Sequence, residues 1–104
     1  MFVRKVLTAL KPNSISKFSL LMERDVIPML RKEKGFQDEL SYFAPSEDAV
    51  TSITLWDEAS SAEAYSKGAY AEVLRKLAPL IDGTPKVDTY ELINSTFHKI
   101  AAAS

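Results

Sequence analysis

Apolar and polar side chains alternate along the first stretch of the chain. Phe2, Arg4, Val6, Thr8 and Leu10 fall on one side, and Val3, Lys5, Leu7 and Ala9 on the other. A period of two predicts a strand. Pro12 and Asn13 break it. From Ser14, a plausible N-cap, the period changes. Ile15, Phe18, Met22, Val26, Met29 and Leu30 recur at steps of mostly three and four, which predicts a helix with one apolar stripe. Pro28 lies inside that stripe and should kink it, because it lacks the N–H that the helix interior needs. Arg31, Lys32 and Lys34 suit the negative end of the helix dipole, and Gly35 is the expected terminator.

Alternation resumes over residues 36–44, with Phe36, Leu40, Tyr42 and Ala44 set against Gln37, Glu39, Ser41 and Phe43. The short link Pro45-Ser46-Glu47-Asp48 leads to a third strand over residues 49–56, rich in β-branched residues. So short a connection predicts an antiparallel hairpin. Ser60 and Glu63 match a capping box and should open a second helix. Tyr70, Val73, Leu74, Leu77, Leu80 and Ile81 form its later apolar stripe, and Gly68 divides it into two pieces. Asp82-Gly83-Thr84-Pro85 turns the chain into a fourth strand over residues 86–94, followed by a tail over residues 95–104.

The predicted order is β-α-β-β-α-β, the ferredoxin-like arrangement, an α+β fold. Right-handed crossovers place both helices on one face of a four-stranded antiparallel sheet. The other face should then be polar, yet large apolar groups occupy both sides of strands three and four: Ile53 and Leu55 oppose Val50 and Trp56, and Val87 and Ile93 oppose Tyr90 and Leu92. A two-sided apolar sheet with one covered face calls for a partner, and the simplest is a second copy, sheet against sheet.

Composition narrows the function classes. The 104 residues are expected to form one domain, residues 1–104, with 46% hydrophobic and 26% charged side chains and a net charge of −1 from 13 basic and 14 acidic groups. The basic footprint of a nucleic-acid binder is absent, and no apolar run reaches the roughly 18 residues of a membrane span. There is no cysteine and one histidine, so thiolate chemistry is excluded and a metal centre is not expected. The three glycines form no phosphate-binding loop, and no Gly-x-Ser-x-Gly elbow is present. The cytoplasm is the expected location.

Several landmarks occur in a telling order: the alternating first strand, Gly35-Phe36 opening strand two, Leu55-Trp56-Asp57 closing strand three, Tyr65 and Tyr70 around the broken helix, Gly83-Thr84-Pro85, and the run Val87-Asp88-Thr89-Tyr90-Glu91. The set resembles the antibiotic-biosynthesis-monooxygenase-like family of dimeric α+β barrels. The resemblance implies a homodimer formed through the open sheet face and a pocket between sheet and helices in each subunit. It also implies cofactor-independent oxidation of an electron-rich aromatic, the phenolic substrate itself reducing dioxygen. Haem-degrading relatives carry their iron-ligating histidine on a helix, whereas the only histidine here is His98 in the tail. No cofactor is therefore expected.

On this reading His98 is the candidate general base, since its ordinary pKa lies near neutrality, and Trp56 is the candidate wall or hydrogen-bond donor of an aromatic pocket. Tyr65, Tyr70, Tyr90 and Asn94 are candidate substrate-binding residues. Each has a plainer role available: core packing for Trp56, half-buried packing for the tyrosines, a turn for Asn94, and a solvated or interface position for His98. Arg4 and Lys5 point to opposite faces, and the inward one is expected to pair with Glu91 or Glu39. A non-enzymatic ligand-binding or stress-related dimer of the same fold is the alternative. A third possibility, an isomerase or decarboxylase of a small cyclic acid, would need a basic anchor inside the cavity.

Overall fold

The computed structural model describes residues 1–96. Its strands are β1 (Phe2–Ala9), β2 (Phe36–Ala44), β3 (Ala49–Trp56) and β4 (Lys86–Glu91). They form one antiparallel sheet in the order β2-β3-β1-β4. Between β1 and β2 run α1 (Ile15–Leu21), a π-helical turn (Met22–Val26) and α2 (Ile27–Arg31). Between β3 and β4 run α3 (Ala59–Lys67), α4 (Tyr70–Leu77) and a 3₁₀ turn (Ala78–Leu80). This is the ferredoxin-like α+β arrangement that the alternation and periodicity predict.

Register assigns the faces, since directly opposed residues of an antiparallel pair share one. Phe2, Arg4, Val6 and Thr8 stand opposite Trp56, Thr54, Ser52 and Val50. These point at the helices, and the core forms there from Phe18, Met22, Val26, Leu30, Trp56, Tyr65, Val73 and Leu77. On the other face Leu7, Leu40, Tyr42 and Tyr90 remain 40–54% exposed, an unusual amount for side chains of that size.

Four local expectations are corrected. Pro28 does not kink a continuous α-helix. The turn before it is π-helical, the Ile27 N–H reaching back to the Met22 carbonyl, and Pro28 then sits in the first turn of α2, where its missing N–H leaves no bond unmade. The capping box at Ser60 does not form. Glu58 is the N-cap residue, and Ser60 Oγ donates to Glu58 Oε1 at 2.7 Å, so the serine hydroxyl is engaged outside the helix. Phe36 does not share a face with Leu40 and Tyr42. A register shift between Phe36 and Asp38 inserts an extra residue, Gln37, and turns Phe36 to the helical side, where its ring meets Trp56 edge-on with centroids 5.7 Å apart. The fourth strand is shorter than the alternation predicts, ending at Glu91.

Gly35 holds the two halves together. It has φ +82°, and its carbonyl accepts the Asp57 N–H at 2.8 Å, joining the start of β2 to the end of β3. A Cβ at this position would run into Asp57 Oδ1 and the Ser61 side chain. Glycine is needed here for backbone conformation and for space.

Candidate functional site

Arg4 stands at the centre of the helical face and is 3% exposed. Its row across the sheet reads Thr89 (β4), Arg4 (β1), Thr54 (β3), Glu39 (β2). Strand spacing separates the Arg4 and Glu39 backbones by on the order of 10 Å. The arginine does not pair with Glu39 or Glu91, contrary to expectation, and no carboxylate among the described residues comes within ion-pair distance of it. Its side chain reaches instead towards the second pair of helices. Nε donates to Ser66 Oγ at 2.8 Å, the guanidinium carbon lies 3.9 Å from the centre of the Tyr70 ring, and the Tyr65 ring centre is 5.4 Å away. The tyrosines supply the π-faces that an arginine without a carboxylate can use. Gly68 separates α3 from α4 and so lets Tyr65, Ser66 and Tyr70 come from two helix ends onto one side chain.

Below these groups lies a narrow cleft of about 50 Å³. Its floor is Arg4, Val6, Ser52 and Thr54 with Glu39 at one side, and its cover includes Met22, Leu30, Tyr65 and Tyr70. A wider groove of about 320 Å³ opens between α1 and β2, lined by Ile15, Ser19, Ile27, Tyr42, Phe43 and Val50. Phe18, Met22 and Glu39 line both spaces. The π-helical turn contributes Met22 and Val26 to the cleft. Such turns are frequent at functional sites.

Electrostatically, burial dominates. It pushes the Tyr65 hydroxyl up to about 12, with Arg4 pulling the other way and Tyr70, Glu33 and Glu39 adding to the rise. Tyr65 is therefore a neutral hydrogen-bonding group at any physiological pH. Burial also raises Glu39 above its ordinary 4.5, opposed by a hydrogen bond from Ser41 Oγ and assisted by the neighbouring Asp38 charge. Ser41 Oγ is in turn 2.9 Å from Ser52 Oγ, so a short polar chain runs from Glu39 to the cleft floor.

Of the residues singled out in the sequence, Tyr65 and Tyr70 line the cleft. Trp56 is fully buried behind them, stacked on Tyr65 with centroids 5.1 Å apart and an interplanar angle of 29°. Its indole N–H donates to Thr54 Oγ1 at 2.9 Å, so that donor is already engaged. Tyr90 is not brought to the cleft. It projects from the opposite sheet face, with the Lys5 ammonium 5.9 Å from its ring centre. Asn94 is exposed beyond the end of β4. His98 lies outside the described residues. Glu39 as a cleft-lining carboxyl group, and Arg4 as a cation without a carboxylate, were not evident from the sequence. Both emerge only when the β2-β3-β1 register aligns residues 35 positions apart. Among the described residues no cluster of three or more His, Cys, Asp or Glu could hold a metal ion.

This architecture recurs among solved structures. A protein of unknown function from Nitrosomonas europaea superposes with a TM-score of 0.76 at 18% identity, covering 91% of each chain. A monooxygenase from Streptomyces coelicolor, solved in complex with nanaomycin D, gives 0.76 at 20% identity, covering 90% of this chain and 88% of that one. A protein from Deinococcus radiodurans, provisionally described as an antibiotic biosynthesis monooxygenase, gives 0.72 at 14% identity, covering 91% and 95%. The chain thus has the ferredoxin-like fold of the antibiotic-biosynthesis-monooxygenase group, as its ordered landmarks suggest. No family model matches the sequence, and no curated protein matches it.

Proposed function

We propose that this protein is a cofactor-independent, monooxygenase-like enzyme that oxidises a small electron-rich aromatic with dioxygen. The observation that carries the reading is the buried Arg4, held against Tyr65 and Tyr70 beneath an apolar roof and without a carboxylate partner. Such a cation favours the phenolate over the phenol, and the phenolate is the form that gives an electron to dioxygen. The substrate supplies all the electrons. One oxygen atom enters the ring at the expense of a C–H bond, the phenolic O–H is lost, and the second oxygen atom leaves as water. Glu39, its pKa raised above the ordinary value by burial, is the carboxylate placed to take the phenolic proton, with His98 or a bound water as the other acceptor. Tyr65 and Tyr70 hold the Arg4 guanidinium in place, and Trp56 fixes Tyr65 from behind.

The working unit in this reading is a cytoplasmic homodimer with the open sheet faces together, covering Leu7, Leu40, Tyr42 and Tyr90. The test is oxygen uptake by purified, metal-free protein with a panel of polyphenols and hydroxylated quinone precursors. Uptake well above the protein-free rate, lost in the Tyr65→Phe/Glu39→Gln double variant, supports the enzyme. Uptake at the uncatalysed rate across the panel overturns it.

The tight inner cleft favours a second reading, a ligand-binding or stress-related dimer without catalysis. At about 50 Å³ the cleft is smaller than the roughly 150 Å³ that holds a benzene ring. A binder in that sense would bind the same aromatics with no uptake of oxygen.

A further inference from the structure

The two spaces differ in size and in chemistry. The inner cleft, about 50 Å³, has room for one or two small polar groups, since a water molecule occupies about 30 Å³ of the liquid. Arg4, 3% exposed, lines it. Among the described residues no buried side-chain nitrogen or oxygen lacks a partner, and Nε is the arginine nitrogen bonded to Ser66, so its terminal nitrogens are not sealed in, and the cleft is the space that Arg4 lines. The outer groove, about 320 Å³, is walled by Ile15, Ile27, Phe43 and Val50 and meets the cleft at Phe18 and Met22. A buried cation is ordinarily paired with an anion, because an uncompensated charge away from water is costly.

We infer that the site takes an aromatic acid: a carboxylate or equally acidic oxygen enters the inner cleft and accepts hydrogen bonds from the Arg4 terminal nitrogens, while the ring lies in the outer groove past Phe18 and Met22. The planar guanidinium matches a carboxylate with two parallel bonds, which a neutral amide cannot reproduce. Glu33 and Glu39 are the carboxyl groups acting on the neighbouring Tyr65. Glu39 stands two strands from Arg4, at the junction of cleft and groove, so it meets the ring substituents rather than the anchored acid. The inference builds on the aromatic-oxidation reading for the kind of ring, and on Arg4 alone for the acid.

The test is titration of the intact protein with 1-hydroxy-2-naphthoate and with its uncharged amide, followed by the fluorescence of Trp56 and checked by calorimetry. Trp56 is the sole tryptophan and stacks on Tyr65 at the cleft wall. The acid is expected to bind at least tenfold more tightly than the amide. Arg4→Met should abolish the preference, and Arg4→Lys should keep part of it by retaining the charge without the paired geometry. Ser19→Phe, which fills the groove from α1, should weaken acid and amide alike. Equal binding of the two ligands, or a preference that survives in Arg4→Met, overturns the acid anchor. Should Arg4→Met not fold, a preference undiminished in Arg4→Lys does the same. Unchanged binding in Ser19→Phe overturns the placement of the ring. The outcome is separable from oxygen uptake. Acid preference without uptake removes the oxygenase reading and leaves the anchor, and uptake without acid preference does the reverse.

Discussion

The Arg4 guanidinium carbon lies 3.9 Å from the centre of the Tyr70 ring, while the nearest carboxylate in its own cross-strand row, Glu39, is left to Ser41. An arginine that stacks on a tyrosine without a carboxylate partner keeps its charge available to something else. The stacking also stabilises the fold. A desolvated cation over an aromatic face contributes about 1–2 kcal/mol. Tyr70→Leu should cost about that much in urea unfolding. A double-mutant cycle with Arg4→Met should return a coupling of about 1 kcal/mol. A coupling near zero would mean that the two side chains are merely adjacent.

Glu39 predicts a pH signature. Its folded pKa is raised by burial above 4.5, so at pH values between the unfolded and folded pKa the folded state holds a proton that the unfolded state has lost. Stability from this group is therefore full below its unfolded value and declines as pH rises from there through the folded pKa. Glu39→Gln removes that decline. The variant should melt at a higher temperature than the parent protein at pH 7, and the gap should close by about pH 4, where both carry a neutral side chain. If Glu39 is also the proton acceptor, the same variant should lose most oxygen uptake despite its greater stability. Equal melting curves at pH 7 would contradict the burial argument.

Much of this arrangement is legible in the sequence. Alternation alone puts Phe2, Arg4, Val6 and Thr8 on one face, and the structure buries Arg4 and Thr8 there. The break at Gly68 and the pairing of Tyr65 with Tyr70 around it are equally readable. What escapes is whatever depends on register. The extra residue at Gln37 reverses the face of Phe36 relative to Leu40, and no local pattern announces a bulge. The same non-local pairing decides that Glu39 shares a row with Arg4 without touching it. Pro28 is a subtler case, because proline forbids one α-helical bond but does not say whether the chain will kink or widen into a π turn.

Gly35 and Gly83 make a controlled comparison. Both have positive φ, +82° and +79°, so alanine is strained at either. At Gly83 nothing lies within reach of an added Cβ, and Gly83→Ala should cost about 1–2 kcal/mol from backbone strain alone. At Gly35 the methyl group also collides with Asp57 and Ser61, where the ends of β2 and β3 are joined, so Gly35→Ala should cost about 2–4 kcal/mol. Chemical denaturation of the two variants side by side checks the order. A Gly83 variant weaker than the Gly35 variant would show that the contact at Asp57 yields easily.

The indole of Trp56 donates to Thr54 Oγ1, and both groups are buried. Thr54→Val keeps the shape and deletes the acceptor, so the Trp56 N–H is left without a partner away from water, at about 1–3 kcal/mol. Thr54→Ser retains the oxygen and should cost less. Urea unfolding followed by tryptophan emission reads both, and equal losses would show that the lost methyl group rather than the hydrogen bond decides.

The open sheet face supplies the last prediction. Leu7, Leu40, Tyr42 and Tyr90 share it and are 40%, 45%, 54% and 48% exposed in the single chain. With the half-buried Ile53 between them on β3, they put several large apolar side chains in water on one face of the sheet. In the proposed dimer a two-fold axis through this face would set the same patch against itself, so one substitution would be felt twice. Leu40→Lys/Tyr90→Glu should shift the protein from dimer to monomer in light scattering coupled to size exclusion, and lower its melting temperature because the stabilisation that association adds is lost. The helical side, and with it the Arg4 cleft, faces away from the substituted positions, so the monomer should still prefer the aromatic acid over its amide. A double variant that remains dimeric would place the interface elsewhere on the molecule.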